Sequence, residues 1–337
     1  MKKLEFGNYT LKFGENKVLL DCYEDVVLPS FMEMRHIRKF KDVSEFFFID
    51  TQVIKLNDDD KEPVIGITGR IVKNTKLKRE QIFREDEIVE DISELETAPS
   101  STFLLILNNH RLILCKEVPG APTIKNFEST SSYFLKKEYI NYIDTQHSTF
   151  EEARKNNPDL PRVTKASLRI ETPHPKLRIT PLSNKEDLLD FVNRFKKIDS
   201  VSITLLPTNK EEIDNDDFWS DLSSRREEMN SSSAKVSFTN NKDGLDSSSV
   251  YKQANSASSL GNSEIKLKGS DNEGDTIRGS NEDFSLSIEL GDISRNPIRS
   301  AKRKFELFMS LADNGSISLP KLSQEVTDRI KVIFNRL

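Results

Sequence analysis

The chain has 337 residues, 31% of them charged and 35% hydrophobic, with a formal net charge of −5. That length suits two domains of ~100–200 residues. The negative total excludes a polycation coated in nucleic acid but leaves room for a local basic surface. No run approaches the ~20 apolar residues of a membrane span, and the opening text MKKLEFGNYTLKFGENK lacks the apolar core of a secretory signal. The chain therefore reads as cytoplasmic, with no membrane insertion. Cys22 and Cys115 lie in apolar, strand-like text without CxxC spacing, so they read as buried free thiols of a reducing compartment.

Residues 1–150 read as a mostly antiparallel β domain with a packed helix. NYTLKF and KVLLDCY flank Gly14-Glu15-Asn16 as a hairpin, and SEFFFIDTQVIKL and PVIGITGRIV form a second pair. STFLLILNNHRLILCKEV is the clearest hairpin, with Asn108-Asn109 suited to positive φ in the turn. After the breaker PGAP, the spacing of Ile124, Phe127, Phe134, Leu135 and Tyr139 predicts a helix. TFEEARKNN predicts a separate short helix, and Asn156-Asn157-Pro158 a domain boundary.

Residues 160–337 read as an α+β domain ending in two helices. KASLRIETP, KLRITPL, SVSITLLP and AKVSFTNN are expected strands. NKEDLLDFVNRFKKI is an amphipathic helix with Asn184 as N-cap. The acidic cluster Asp214 to Asp217 opens a further helix, where it suits the helix dipole better than a calcium loop. The Ser-rich stretch 244–261 is either linker or poorly packed helix. SEIKLKG and FSLSIEL read as a hairpin, and PIRSAKRKFELFMSLAD and LPKLSQEVTDRIKVIFNRL as the closing helices. The whole is α+β.

Phosphate-cradling loops of the GxGxxG or GxxxxGK[ST] type are absent, and no cofactor is implied. His36, His110, His147 and His174 lack partners at metal-ligand spacing and read as exposed surface histidines. Glu264-Ile265-Lys266, with Asp243 and Asp246 upstream, matches the outline of a PD-(D/E)xK nuclease: alternation sets acid and lysine on one strand face, where carboxylates bind Mg²⁺. Such E-x-K alternation is equally the mark of a solvated strand, and the upstream Pro is missing.

Basic clusters are the more frequent signal. RHIRKFK supplies Arg35, Arg38 and Lys39; GRIVKNTKLKR supplies Arg70, Lys73, Lys76, Lys78 and Arg79. Arg169, Lys176 and Arg178 follow mid-chain, and Lys302 and Arg303 lie on the first closing helix. Convergence of these cations would make a phosphate-tracking, salt-sensitive surface. Without a helix-turn-helix, zinc finger or RNP motif, it would be directed at the backbone with little sequence specificity. Pairing with acidic text such as REDEIVEDISELE would instead leave a plain solvated face.

From EDISEL through STFLLILNNHRLILCKEVPGAPTIKNFESTSSYFL, and again over FFFIDTQVI, EPVIGITGRIV, ITLLPTNKEEID, AKVSFTNNKDG and SEIKLKG, the chain resembles the RexA-like exclusion proteins of phage lambda. The resemblance implies an anti-phage protein binding double-stranded DNA without strong sequence preference. It also implies a homodimer whose basic face lies between or beside the domains. The N-terminal strand text and the net negative charge depart from that pattern. Three functions follow: DNA-binding defence protein; metal-dependent nuclease using Asp246, Glu264 and Lys266; or regulatory subunit acting on an operon-encoded protein partner.

Overall fold

The structure, a computed structural model, describes all residues except 1, 42, 60, 85, 209–216, 292, 293 and 295. Residues 214–216 of the acidic cluster therefore lie outside the described residues. The chain is α+β, as its sequence indicates.

The elements run β1 (Lys2–Phe13), β2 (Lys17–Val18), a 3₁₀ and a π turn over 19–27, α1 (Leu28–Phe31), β3 (Arg38–Phe40), β4 (Ser44–Lys55), β5 (Ile65–Arg84), β6 (Glu87–Thr97), β7 (Ser100–Ile106), β8 (Arg111–Lys116), α2 (Ile124–Asn156) and α3 (Lys165–Glu171). There follow β9 (Pro175–Pro181), α4 (Lys185–Asn193), β10 (Lys197–Leu205), α5 (Asp217–Glu228), β11 (Ala234–Thr239), α6 (Ser247–Ser258), β12 (Ser263–Ser270), β13 (Thr276–Ser280), β14 (Ser287–Leu290), α7 (Pro297–Asp313) and α8 (Gln324–Phe334).

The large sheet has the order β14-β1-β8-β7-β5-β4-β3, with β9 and β2 also on β1 and β6 on β5. Both of its faces are covered, so β7 and β8 carry the continuous apolar runs Phe103–Ile106 and Leu112–Cys115 rather than alternation. One face meets α1, α2 and α8 through a ring cluster in which Phe103 and Phe127 have centroids 5.0 Å apart and Phe31 and Phe48 5.2 Å. The other face, with Phe6, Leu104 and Ile113, is sealed by Ala301 and Phe308 of α7.

One edge of β1 carries two strands distant in sequence, β14 against Lys2–Glu5 and β9 against Gly7–Phe13. Between them the chain leaves to build a second sheet, order β11-β10-β12-β13, and returns through the Ser183–Ser285 bridge and the Leu286 N–H bond to the Leu182 carbonyl. The second unit is thus an insertion within one body. The two closing helices belong to the body's cores, not to the second unit, so the physical division differs from the expected 1–150 and 160–337. FSLSIEL does not form a hairpin with SEIKLKG: β12 pairs with β13, which lies inside the expected loop, and β14 crosses to β1.

Other local readings change for identifiable reasons. TIKNFE through EEARKN is one helix of 33 residues, because nothing interrupts it before Asn157-Pro158. KASLRIE is helical rather than extended: Thr164 accepts from the Ser167 N–H and Ser167 Oγ accepts from the Thr164 N–H, a reciprocal cap. The Ser-rich stretch orders as α6 because Asp246 caps it and Val250, Ala254 and Ala257 bury one stripe. In the β7–β8 turn the positive φ falls on His110 (+55°), and its ring is buried rather than exposed. Asn108 fixes that turn, accepting from the Ile65 N–H at 3.1 Å and donating to the Pro63 carbonyl at 2.8 Å. Cys22 and Cys115 are both buried free thiols, and burial pushes the Cys22 thiol up to about 12.

Candidate nucleic-acid interface

The thirteen cations singled out from sequence do not converge. Lys76, Lys78 and Arg79 lie on the distal half of β5, which leaves the sheet with β6 as a two-stranded ribbon. The acidic text of β6 lies directly alongside. Lys76 and Lys78 meet Glu94 at 3.1 and 3.5 Å, and Arg79 meets Asp91 at 2.5 Å. The hydrogen bond from Lys76 holds the Glu94 carboxyl below its usual range.

Arg70 is clamped between Asp50 (2.5 Å) and Glu117 (2.8 Å), and these bonds raise its already high pKa. Arg35 grips the buried Glu138 at 2.5 Å, which His36 also contacts, and Lys39 sits 3.9 Å from Glu45. Arg303 pairs with Glu306 at 3.2 Å. Arg38 lies over the Phe46 ring at 5.2 Å, and its Nη1 donates to Thr130 Oγ1 at 3.2 Å, a packing role. Lys73 is half-buried beside the ribbon root, and Arg169 and Lys302 are exposed on α3 and α7.

Lys176 and Arg178 occupy a different setting. They line a cleft of about 800 Å³ between β1, β9 and the first turn of α2 on one side and the inserted unit on the other. Antiparallel register sets Lys12 directly opposite Lys176, and Lys3 directly opposite Lys116. All four line the cleft. Like charges directly opposed are unfavourable in a sheet. Nearby acids offset them in part: Glu15 lies 3.5 Å from Lys12 and Glu5 2.5 Å from Lys116. Glu128, also in the cleft, has its carboxyl pushed up by burial.

The cleft opens onto the second sheet, where Glu264 and Ser280 form part of its wall. Alternation explains that sheet. Ile198, Val201, Ile203, Ile265 and Leu267 face α4, α5 and α6 around the buried Trp219. Among the described residues no helix covers the opposite face. Gly279 exists for the inner face, since a Cβ there would stand 2.1 Å from the Phe191 ring.

The outer face carries Lys235, Ser237 and Thr239 on β11 and Ser200, Ser202 and Thr204 on β10. It continues with Lys266 and Lys268 on β12 and Arg278 and Ser280 on β13. Lys268 stands directly opposite Arg278, a third cation pair. Among the described residues of that face, Glu264 is the carboxylate near the cleft. Lys266 at 2.9 Å and Arg178 at 3.2 Å hold it, the Lys266 bond being the main cause of its lowered pKa. Asp271, Glu273 and Asp275 lie in the β12–β13 turn beyond. Sequence reading missed Lys235, Lys268 and Arg278. The alternation of SEIKLKG was the available signal, and it drew attention as a nuclease outline instead.

The nuclease trio is not assembled. Leu245 bridges Ile198 while Glu264 pairs with Thr204, six residues further along β10, so Asp246 and Glu264 are separated by ~20 Å of strand. Asp246 Oδ1 accepts from the Ser249 N–H at 2.8 Å as a helix cap. Among the described residues no group of three His, Cys, Asp or Glu side chains is placed to hold a metal ion. No described helix is long and apolar enough to cross a membrane.

None of the curated proteins compared matches the chain. A family model described as a domain of unknown function, DUF4747, matches residues 162–295, a span that takes in β9, the whole open-faced sheet and β14.

Proposed function

We propose that the protein binds nucleic acid, in the first instance duplex DNA, through the outer face of the second sheet and the adjoining cleft, by contacts to the phosphate backbone. The observation that carries this reading is the set of directly opposed cations: Lys12 with Lys176 and Lys3 with Lys116 in the cleft, Lys268 with Arg278 on the open face. Such pairs cost stability in the free protein, and an anion lying across them reverses the sign. The hydroxyls between them suit phosphate oxygens. The outer face carries no aromatic side chain among its described residues, whereas sequence-tolerant single-strand binders rely on aromatic stacking. This favours duplex over single strand. Together with the resemblance to RexA-like exclusion proteins, it makes DNA-directed anti-phage defence the role to test.

The deciding experiment is binding to labelled duplex and single-stranded oligonucleotides over a salt series, with and without Mg²⁺. Duplex affinity falling log-linearly with salt, with a slope of about −0.9 per phosphate neutralised, supports the reading. No binding at low salt removes it.

A further inference from the structure

The β5–β6 ribbon has no part in the DNA face, and its chemistry is of another kind. From Leu77 to Leu95 no side chain of a described residue belongs to any of the three buried cores. A two-stranded ribbon alone in water is marginal at best, and its outer edges are unpaired templates. One of its faces is nonetheless apolar at both ends. Leu77 stands opposite Leu95 at the root and Phe83 opposite Ile88 at the tip. These four side chains are 57, 66, 72 and 70% exposed in that order. An extra residue in β6 between the pairs Arg79–Ser93 and Gln81–Glu90 keeps both ends on the same face. The root continues into the sheet through Thr75, whose cross-strand neighbours Ser44 and Phe40 bring the exposed Phe40 ring to the same side.

We infer that this face is a self-association surface, whose occupant is the same ribbon of a second copy, packed antiparallel so that the tip of each lies on the root of the other. The pattern is self-complementary under a two-fold axis crossing the ribbon between the Arg79–Ser93 and Gln81–Glu90 pairs. Phe83 and Ile88 of one copy cover Leu77 and Leu95 of the next, twice over, as an isologous interface requires. The polar middle does not oppose this. Arg79 meets Gln81 of the second copy and Ser93 meets Glu90, while Asp91, which comes near its own counterpart beside the axis, is held in each copy by Arg79 at 2.5 Å. An unlike partner would have no reason to match a face whose two ends are equivalent. The inference is independent of the DNA reading, since the ribbon's lysines are already held by Glu94.

The test is sedimentation velocity of the full chain across the micromolar range, with circular dichroism and thermal melts to establish folding. The wild type is expected at dimer mass at the upper end. Phe83→Lys and Leu77→Glu are each expected to weaken self-association by at least about tenfold while remaining folded. An equimolar mixture of the two variants is expected to recover dimer, because the mixed pair places both lesions in one contact, lysine against glutamate, and leaves the other contact intact. A wild type that stays at monomer mass, or a dimer unaffected by either substitution, overturns the inference. Folded single variants whose mixture recovers nothing overturn the tip-to-root packing. DNA binding measured in parallel should be lost in none of the variants if the two surfaces are separate.

Discussion

Lys12 on β1 and Lys176 on β9 stand directly across from each other, in register, on the wall of the cleft between the body and the inserted unit. A fold optimised for stability alone would place opposite charges there. The Lys12 side chain is only 15% exposed and has Glu15 at 3.5 Å, while Lys176 is exposed. This mismatch supplies the first prediction. Lys176→Gln is expected to stabilise the folded chain by ~0.2–1 kcal/mol and to weaken duplex binding in the same preparation. Chemical denaturation and anisotropy titrations check both halves. Unchanged DNA affinity would detach the cleft from the interface.

The open sheet and the ribbon make opposite predictions for charge reversal. Lys268→Glu with Arg278→Glu is expected to lower duplex affinity at least about tenfold and to flatten the salt slope by about 2, the loss of two phosphate contacts. Lys76→Glu with Lys78→Glu is expected to leave both quantities near wild type, because those lysines already neutralise Glu94. The reverse ranking would move the interface to the ribbon.

Asp246 serves as a helix cap, and the hydrogen bond from Ser249 lowers its pKa. Asp246→Ala is expected to lower Tm by a few degrees, while Asp246→Asn, also a good cap, retains most of the stability. Plasmid incubated with wild-type protein and Mg²⁺ is expected to stay intact. Cleavage that disappears in Asp246→Ala would return this residue to metal chemistry.

Lys304 on α7 is fully buried against the large sheet, its Nζ donating to Ser300 Oγ at 2.6 Å, and burial pushes its pKa down to about 8. In the unfolded chain the same amine holds its proton up to ~10.4. Between those two pH values the unfolded state binds more protons, so this site's contribution to stability rises with pH. Below about 8 both states are charged and the penalty of the buried ammonium is constant. Lys304→Met is therefore expected to exceed wild type by ~1–3 kcal/mol at neutral pH, with the gap narrowing towards pH ~10. Urea unfolding of both proteins across that range measures the difference. A gap independent of pH would show that Lys304 does not titrate in the window.

What the sequence made legible follows from range. The β7–β8 hairpin, the Asn184 cap of α4 and the apolar stripe of α2 are local, and each carries its own signature in neighbouring residues. KASLRIE was expected as a strand, and its Ala166, Leu168 and Ile170 do alternate with polar residues. The Thr164–Ser167 cap outweighs that alternation, and Ile170 is exposed. The pairing of β14 with β1 spans most of the chain and leaves no local trace. The same holds for charge. Lys76 and Glu94 are 18 positions apart in text but neighbours across the ribbon, so a basic cluster by sequence is neutral in space. Lys12 and Lys176 are remote in text and adjacent in the sheet, so the concentrated charge was invisible.

The insertion of residues 183–285 between β9 and β14 bears on how the protein is made. During synthesis β1 emerges well before the strands that complete its outer edge, which begin only at Pro175 and again at Ser287. Until then one backbone edge of β1 stands unpaired, the situation in which nascent chains misassociate. The inserted unit, whose sheet pairs only within itself, can fold before that edge closes, bringing β9 and β14 into line as it does. Closure of the body is thus a late event, set by the pace of elongation and by the integrity of a unit that contributes no strand to it.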